Sequence, residues 1–342
     1  MLLRRTLPLL LAVLTFAGCG NLSNEDLVFL SAVPKPKEVE LTVQEQSTPA
    51  NALTSADAVG DDAAYYALAS SIATGLNQGV TNILTLVDTL GKGYPPTERT
   101  DDARIWGPVA NVDGKGLTLR LEIQRETLDS GAPRFYFCLA VAQDANVAGT
   151  PPRCREADKN GFQTILSGHY DPQSVEGGAR SGSGEIKLDF EAAQRAHAAK
   201  PDERGTLALT YDFSQGGDAK QIHVLVTAPG DFGSLPVSMD YDYGRSIDAH
   251  VDFSFGLTNY IDPADASGKP SDSSITASWI ENVAGRADAV KRGGDLEADQ
   301  YAAVIECWDE YAKRTYAWAA IYKGTVQQMV FLNEGDPATC PQ

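Results

Sequence analysis

The chain has few basic residues and no closely spaced cysteines, and each shortage excludes a class of function. It contains 28 lysines and arginines against 46 aspartates and glutamates, for a formal net charge of −18. A surface of this sign repels phosphate backbones, so we expect no nucleic-acid partner. The cysteines are too far apart in sequence to form the short ligand pairs of a structural zinc site.

Common catalytic motifs are missing as well. The sequence has no His-Glu-x-x-His, no Gly-x-Ser-x-Gly and no phosphate-binding glycine loop followed by lysine. After the N-terminal stretch, no apolar run approaches the length of a membrane-spanning helix. We therefore predict no cofactor, no metal site and no named catalytic residue.

The first residues have the pattern of an export signal. Arg4 and Arg5 supply positive charge, and the apolar stretch 6–17 is too short to span a bilayer. The signal ends in Phe16-Ala17-Gly18-Cys19. This ending resembles the bacterial lipobox, although Phe16 stands where that motif usually has an aliphatic residue. An ordinary secretory signal that happens to end near Cys19 is the alternative.

The lipobox resemblance implies a lipoprotein. Residues 1–18 would be removed as the signal peptide, and Cys19 would carry acyl chains such as palmitate. Gly20 follows the cysteine in place of the aspartate linked to inner-membrane retention, which favours the outer membrane, on its periplasmic face or at the cell surface. Loss of Arg4 and Arg5 leaves a mature net charge of 26 − 46 = −20. The acyl chains, and not electrostatic attraction, would then hold the protein at the membrane.

Four cysteines remain besides Cys19: Cys138, Cys154, Cys307 and Cys340. An even number in an exported chain indicates disulfides, with three possible connectivities. We expect the local pairing, Cys138 with Cys154 and Cys307 with Cys340, because each closes a short loop. Four buried free thiols are the alternative.

The segment 19–60 is polar, contains several prolines and has no sustained period, so it is interpreted as a flexible tether. Its apolar patch, residues 27–30, is the exception and is expected to dock on the folded body.

A helix is predicted over residues 61–90, where apolar side chains recur every three or four positions. Gly91 and Gly93, followed by Pro95 and Pro96, are expected to end it.

From about residue 103 the apolar period changes to two, which is typical of strands with one exposed face. A hairpin turn is predicted at 111–114 and a short helix at 191–199, with a longer loop at 258–273. Strands are predicted around residues 117–123, 135–141, 162–170, 186–190, 207–213, 222–226, 239–243, 251–255, 274–281, 284–291, 300–308 and 313–322. The stretch 300–322 favours a helix by propensity alone, but its aromatic and β-branched residues favour strands.

These elements predict a mainly β (α+β) domain spanning 61–342. Sequential strands with short turns favour a large curved antiparallel sheet or open barrel, packed against one long N-terminal helix. In its order of elements this architecture resembles the periplasmic lipoprotein-carrier (Lol-type) half-barrels. That resemblance implies an acyl-chain site between helix and sheet, and it assigns no residues.

Two sets of polar residues are candidates for chemistry. His169, His223 and His250 lie on or beside predicted strands, whereas His197 lies in the predicted short helix. The aspartates Asp240, Asp242, Asp248 and Asp252 form an acidic patch that lacks the spacing of a calcium loop. A solvated polar face is the simpler interpretation of both sets.

The leading hypothesis is a non-enzymatic, membrane-anchored lipoprotein of the cell envelope. It would have a structural role, or it would bind a hydrophobic ligand or an envelope protein. A hydrolase acting on an envelope polymer is the alternative. A histidine within hydrogen-bond reach of an acid and a nucleophile would favour the hydrolase, and an apolar cavity would favour the binding protein.

Replacing Cys19 with alanine removes the only thiol that the lipobox resemblance assigns to acylation. We expect Cys19→Ala to leave the membrane fraction, because the stretch 6–17 is too short to act as a stable anchor. Cell fractionation followed by immunoblotting measures the distribution. A variant that still sediments with membranes would contradict the anchor.

Overall fold

The computed structural model describes residues 22–43, 58–112, 114, 116–173, 180–198, 204–229, 236–261 and 268–341. These residues form four α-helices and one large antiparallel sheet. The helices are α1 (Asn24–Ser31), α2 (Pro36–Val39), α3 (Ala64–Gly93) and α4 (Phe190–Arg195). No helix in the described parts of the chain is long and apolar enough to cross a bilayer.

Fifteen strands are present among the described residues, and each pairs with its neighbours in sequence. They are β1 (Glu98–Arg99), β2 (Ala103–Val112), β3 (Leu117–Thr127), β4 (Pro133–Gln143), β5 (Gln163–Gln173), β6 (Ser181–Asp189), β7 (Thr206–Ser214), β8 (Ala219–Ala228), β9 (Val237–Arg245), β10 (His250–Tyr260), β11 (Ser271–Ile280), β12 (Ala284–Gly293), β13 (Gln300–Trp308), β14 (Arg314–Lys323) and β15 (Val326–Gly335). Strands β1 and β15 do not pair with each other, so this meander is an open sheet.

The alternation of side chains explains why one face of the sheet is buried. In β11, Ile275, Ala277 and Trp279 are buried, whereas Thr276 lies on the opposite, exposed face. The buried face, here called the inner face, packs against the helices in one continuous apolar cluster. The mainly β, antiparallel prediction is therefore confirmed.

The predicted strands are found with small shifts in their ends, and residues 300–322 form β13 and β14 as favoured over a helix. Three strands were missed or only partly recognised. β1 is very short, and β2 continues through 111–112, where the hairpin turn was predicted. β15 lies at an edge and is exposed along its length, so it has no alternation of buried and exposed residues to detect.

Helix α3 covers 30 residues, Ala64–Gly93, and overlaps the predicted span 61–90. Its N-cap residue, Ala63, has no side chain that can accept a hydrogen bond. Glu306 of β13 takes that role, since its carboxylate oxygens accept the backbone amides of Ala64 at 3.0 Å and Tyr65 at 2.7 Å. Arg314 pairs with the same carboxylate at 2.7 Å, and all these groups are buried. The start of α3 is thus held by strands near the far end of the chain.

The prediction of a single helix before the sheet, preceded by a flexible tether, is wrong for residues 22–43. Helices α1 and α2 lie there, ahead of α3. Phe29 of the predicted apolar patch is fully buried and meets the ring of Phe135 edge-on at 5.7 Å. Because such short helices have little periodic pattern, contacts with the sheet, and not local propensity, stabilise them.

A buried carboxylate fixes α1 to the first strands. Asp26 is fully buried and accepts a hydrogen bond from Arg104 of β2 at 2.7 Å. Burial by itself raises the pKa of Asp26, but the backbone amide of Ser23 and the Arg104 guanidinium lower it below its usual range. The carboxylate is therefore charged at neutral pH and ties α1 to β2.

The cysteines pair as predicted. Cys138 is bonded to Cys154 and Cys307 to Cys340, with Cα–Cα distances of 5.6 and 5.3 Å. The first bond holds the loop between β4 and β5 against the outer face of the sheet. The second attaches the C-terminal segment to β13. Cys19 lies outside the described residues.

Beneath the loop between β4 and β5, Glu122 of β3 is fully buried on the outer face. Its carboxylate accepts hydrogen bonds from Arg120 at 2.6 Å, Gln124 at 2.6 Å, Arg153 at 3.2 Å and the amide of Cys154 at 3.1 Å. Burial alone raises the pKa of Glu122, but Arg120 and the other donors lower it. This network stabilises the disulfide-bonded loop.

Glu122→Gln should lower the free energy of unfolding by about 3 kcal/mol, because it leaves the buried Arg120 without its counter-charge. Glu126→Gln on the same strand is the control, since Glu126 forms only an exposed pair with Arg155 at 3.3 Å. That change should cost less than about 1 kcal/mol. Urea unfolding at pH 7 measures both values, and equal losses would contradict the assignment.

The lowered pKa of Glu122 also fixes the sign of a pH effect. Its stabilising contribution is present above the ordinary carboxyl pKa and is lost as pH falls through the lower, folded-state pKa. The difference between wild type and Glu122→Gln should therefore shrink in acid.

Candidate functional site

An apolar groove lies between α1 and the C-terminal half of α3. This groove has a volume of about 480 Å³. Its apolar walls are formed by Leu27, Leu30, Val33, Pro34, Leu84 and Val87. The volume is within the range of small-molecule sites, about 300–1,000 Å³.

Gly91 of α3 lies in close contact with the side chain of Leu30 in α1. A Cβ atom at this position would lie 2.2 Å from Cδ2 of Leu30, so a larger residue would force that side chain to move. The sequence analysis assigned Gly91 to the end of the helix, but α3 continues past it to Gly93. Its role is close packing of the two helices.

Polar side chains line one rim of the groove. Lys92 pairs with Asp88 at 2.7 Å one turn earlier on α3, and Lys35, the N-cap residue of α2, also lines the groove. The groove therefore combines an apolar interior with charged side chains of both signs at its rim.

The predicted acidic patch is on the outer face of the sheet, where the structure brings only part of it together. His223 of β8 lies opposite Asp242 of β9 in the sheet register. Its Nδ1 atom is 2.9 Å from Asp242 and 3.3 Å from Asp240. All three side chains are substantially exposed, and Ser254 donates weakly to Asp242 at 3.4 Å. This is a solvent-exposed cluster of hydrogen-bonded side chains on a polar face.

A second histidine cluster lies near the start of β10. His250 Nε2 is 2.7 Å from Ser278 Oγ and 3.5 Å from Asp252. A catalytic triad needs the acid on one ring nitrogen and the nucleophile on the other. Here both partners contact the same nitrogen, Nε2, so Asp252 does not orient the ring for His250 to act as the base of Ser278.

The remaining predicted site residues lie apart from these clusters. Asp248 bonds to Ser246 in the turn between β9 and β10. His169 is on β5 beside Tyr136, and burial followed by the charge of Arg134 lowers its pKa. His197 follows α4. The three histidines on strands therefore do not converge into one site.

No protein family, curated protein or solved structure matches the chain.

The sequence analysis missed the buried charges that organise the structure. Glu306 and Arg314 were included in strand predictions without any role, and Asp26 and Arg104 were not singled out. One signal was available for Glu306, which interrupts the apolar run from Val304 to Trp308. A lone carboxylate in such a run indicates a buried partner, although not which one.

Proposed function

We propose that the protein is an exported lipoprotein, anchored in the bacterial outer membrane through acyl chains on Cys19. The signal-like residues 1–18 and the lipobox resemblance at Cys19 support this location. The two disulfides agree with it, because such bonds persist in oxidising compartments outside the cytoplasm.

In this proposal the protein is a binding protein and not an enzyme, and its ligand is hydrophobic. The groove between α1 and α3 is the observation that carries the proposal, since it combines an apolar wall with a polar rim. Neither histidine cluster has the geometry of a hydrolase triad, so no observation on the described residues favours the envelope hydrolase.

We further infer that the sheet curves around the helices. Helix α1 packs near Phe135 of β4, α2 contacts β7 and β8, and Tyr66 at the start of α3 meets Trp279 of β11 and Trp308 of β13. All three helices share one buried cluster with the inner face. Sheets with more than about ten strands commonly curl.

The proposed site differs from the one implied by the Lol-type resemblance. That resemblance places acyl chains between helix and sheet, whereas the inner face here is filled by aromatic side chains such as Tyr241 and Phe253. The groove between α1 and α3, in contrast, has a free volume of about 480 Å³.

Protein purified gently from its own membrane should carry a non-covalent apolar molecule, detected by native mass spectrometry and lost on denaturation. Leu27→Glu should reduce this added mass, because Leu27 lines the groove and is half exposed. Val28→Glu is the control, since Val28 is similarly exposed on the next position of α1 but is not part of the groove wall. Wild-type protein without bound mass, or equal retention by both variants, would contradict the groove assignment.

A further inference from the structure

One end of the sheet carries large apolar side chains at the tips of its hairpins. In this meander, every turn from an odd-numbered strand to the next even-numbered strand lies at the same end. Three of these turns, β9–β10, β11–β12 and β13–β14, together with the segment before α3, expose apolar residues. The residues, here called the rim residues, are Val59 (45 % exposed), Ile247 (63 %), Ile280 (48 %), Val283 (55 %) and Tyr311 (71 %).

These side chains are not part of the buried core. Tight turns normally use glycine, asparagine, aspartate and serine at such positions. The rim residues are far more exposed than the core, so they contribute little to folding. A row of apolar residues with no role in the core is typical of an interaction surface.

The tips that carry these side chains are structured. The backbone amide of Glu281 donates to the carbonyl of Ala249 at 3.1 Å, and Arg245 pairs with Glu281 at 3.0 Å, which joins the β9–β10 and β11–β12 tips. Asp309 accepts the amides of Tyr311 and Lys313, both at 2.9 Å. The rim residues are therefore presented from defined positions.

The start of α1 lies at the same end of the sheet. Glu25 pairs with Arg125 at 2.9 Å, and Arg125 is close to the β3–β4 turn, which belongs to this end. Two residues separate Cys19 from Leu22, the first residue described. The three Cα–Cα steps from Cys19 to Leu22 span at most about 11 Å. Any acyl chains on Cys19 thus enter a bilayer close to this end and far from the opposite turns.

We propose that the rim residues dock on the surface of the membrane that holds the anchor. This inference rests on the proposed acylation of Cys19. Isoleucine and valine side chains bury apolar area at the acyl boundary, and tyrosine is enriched at the membrane interface. The sheet then stands on the bilayer, with the β14–β15 turn facing away from it.

The charges around the rim residues determine which lipid headgroup charge favours docking. Acidic groups such as Asp248, Glu281 and Glu310 adjoin the apolar tips. Two basic residues compensate only some of this negative charge. Arg245 pairs with Glu281, and Lys313 pairs with the nearby Asp62 at 2.6 Å. A zwitterionic surface is therefore favoured, and added anionic lipid should weaken the docking.

Tryptophan quenching in vesicles tests this orientation. Mature protein isolated from its own membrane would be reconstituted in phosphatidylcholine vesicles with brominated acyl chains, which quench nearby tryptophans. The variants are Tyr311→Trp at the rim and Val326→Trp at the opposite end, where Val326 is 61 % exposed. The signal of the four native tryptophans is subtracted using the unmodified protein.

We expect the emission added by Tyr311→Trp to be largely lost in brominated vesicles, and that added by Val326→Trp to be retained. Equal quenching of both variants, or quenching of neither, would overturn the docking. The N-terminal peptide of the same samples reports acylation separately. Missing acyl mass removes the proposed anchor, whereas acylated protein with an unquenched Tyr311→Trp variant removes only the docking.

Discussion

The structure depends on the hydrogen bonds by which Glu306 of β13 holds the start of α3. An open meander has no pairing between its first and last strands, so another contact must hold its distant parts together. The Glu306 carboxylate accepts two amides of the helix while Arg314 neutralises its charge. A charged hydrogen bond of this kind, out of water, is stronger than one at the surface. Burial and the nearby Glu306 carboxylate also raise the pKa of the Tyr65 phenol.

The same helix organises the candidate functional surfaces. Its first residues lie beside the β13–β14 turn, where Ala63 donates to Ala312, and its last turns form a wall of the groove with α1. Helix α1 in turn follows Cys19 closely in sequence. The groove, the proposed anchor at Cys19 and the rim residues thus belong to one connected arrangement, and α3 links its parts.

Local pattern predicted most of the strands and the cysteine pairing. Alternation such as Val251-Phe253-Phe255 states directly which face is buried, and both disulfides close short loops. What escaped prediction depends on partners distant in sequence. Phe29 is buried against Phe135, which lies far along the chain. Glu306 caps a helix that begins 242 residues earlier. The groove could not be predicted, because it exists only once Gly91 allows Leu30 to approach α3.

Native-state hydrogen exchange of Glu306→Gln tests the central claim most directly. The claim predicts that amides in the first turns of α3 and in β13 and β14 lose protection together, by about 3 kcal/mol in opening free energy, because Arg314 is left buried without its counter-charge. Strands β5 to β8, which lack this contact, should keep their protection. Unchanged exchange at the start of α3 would show that Glu306 does not hold the helix in place.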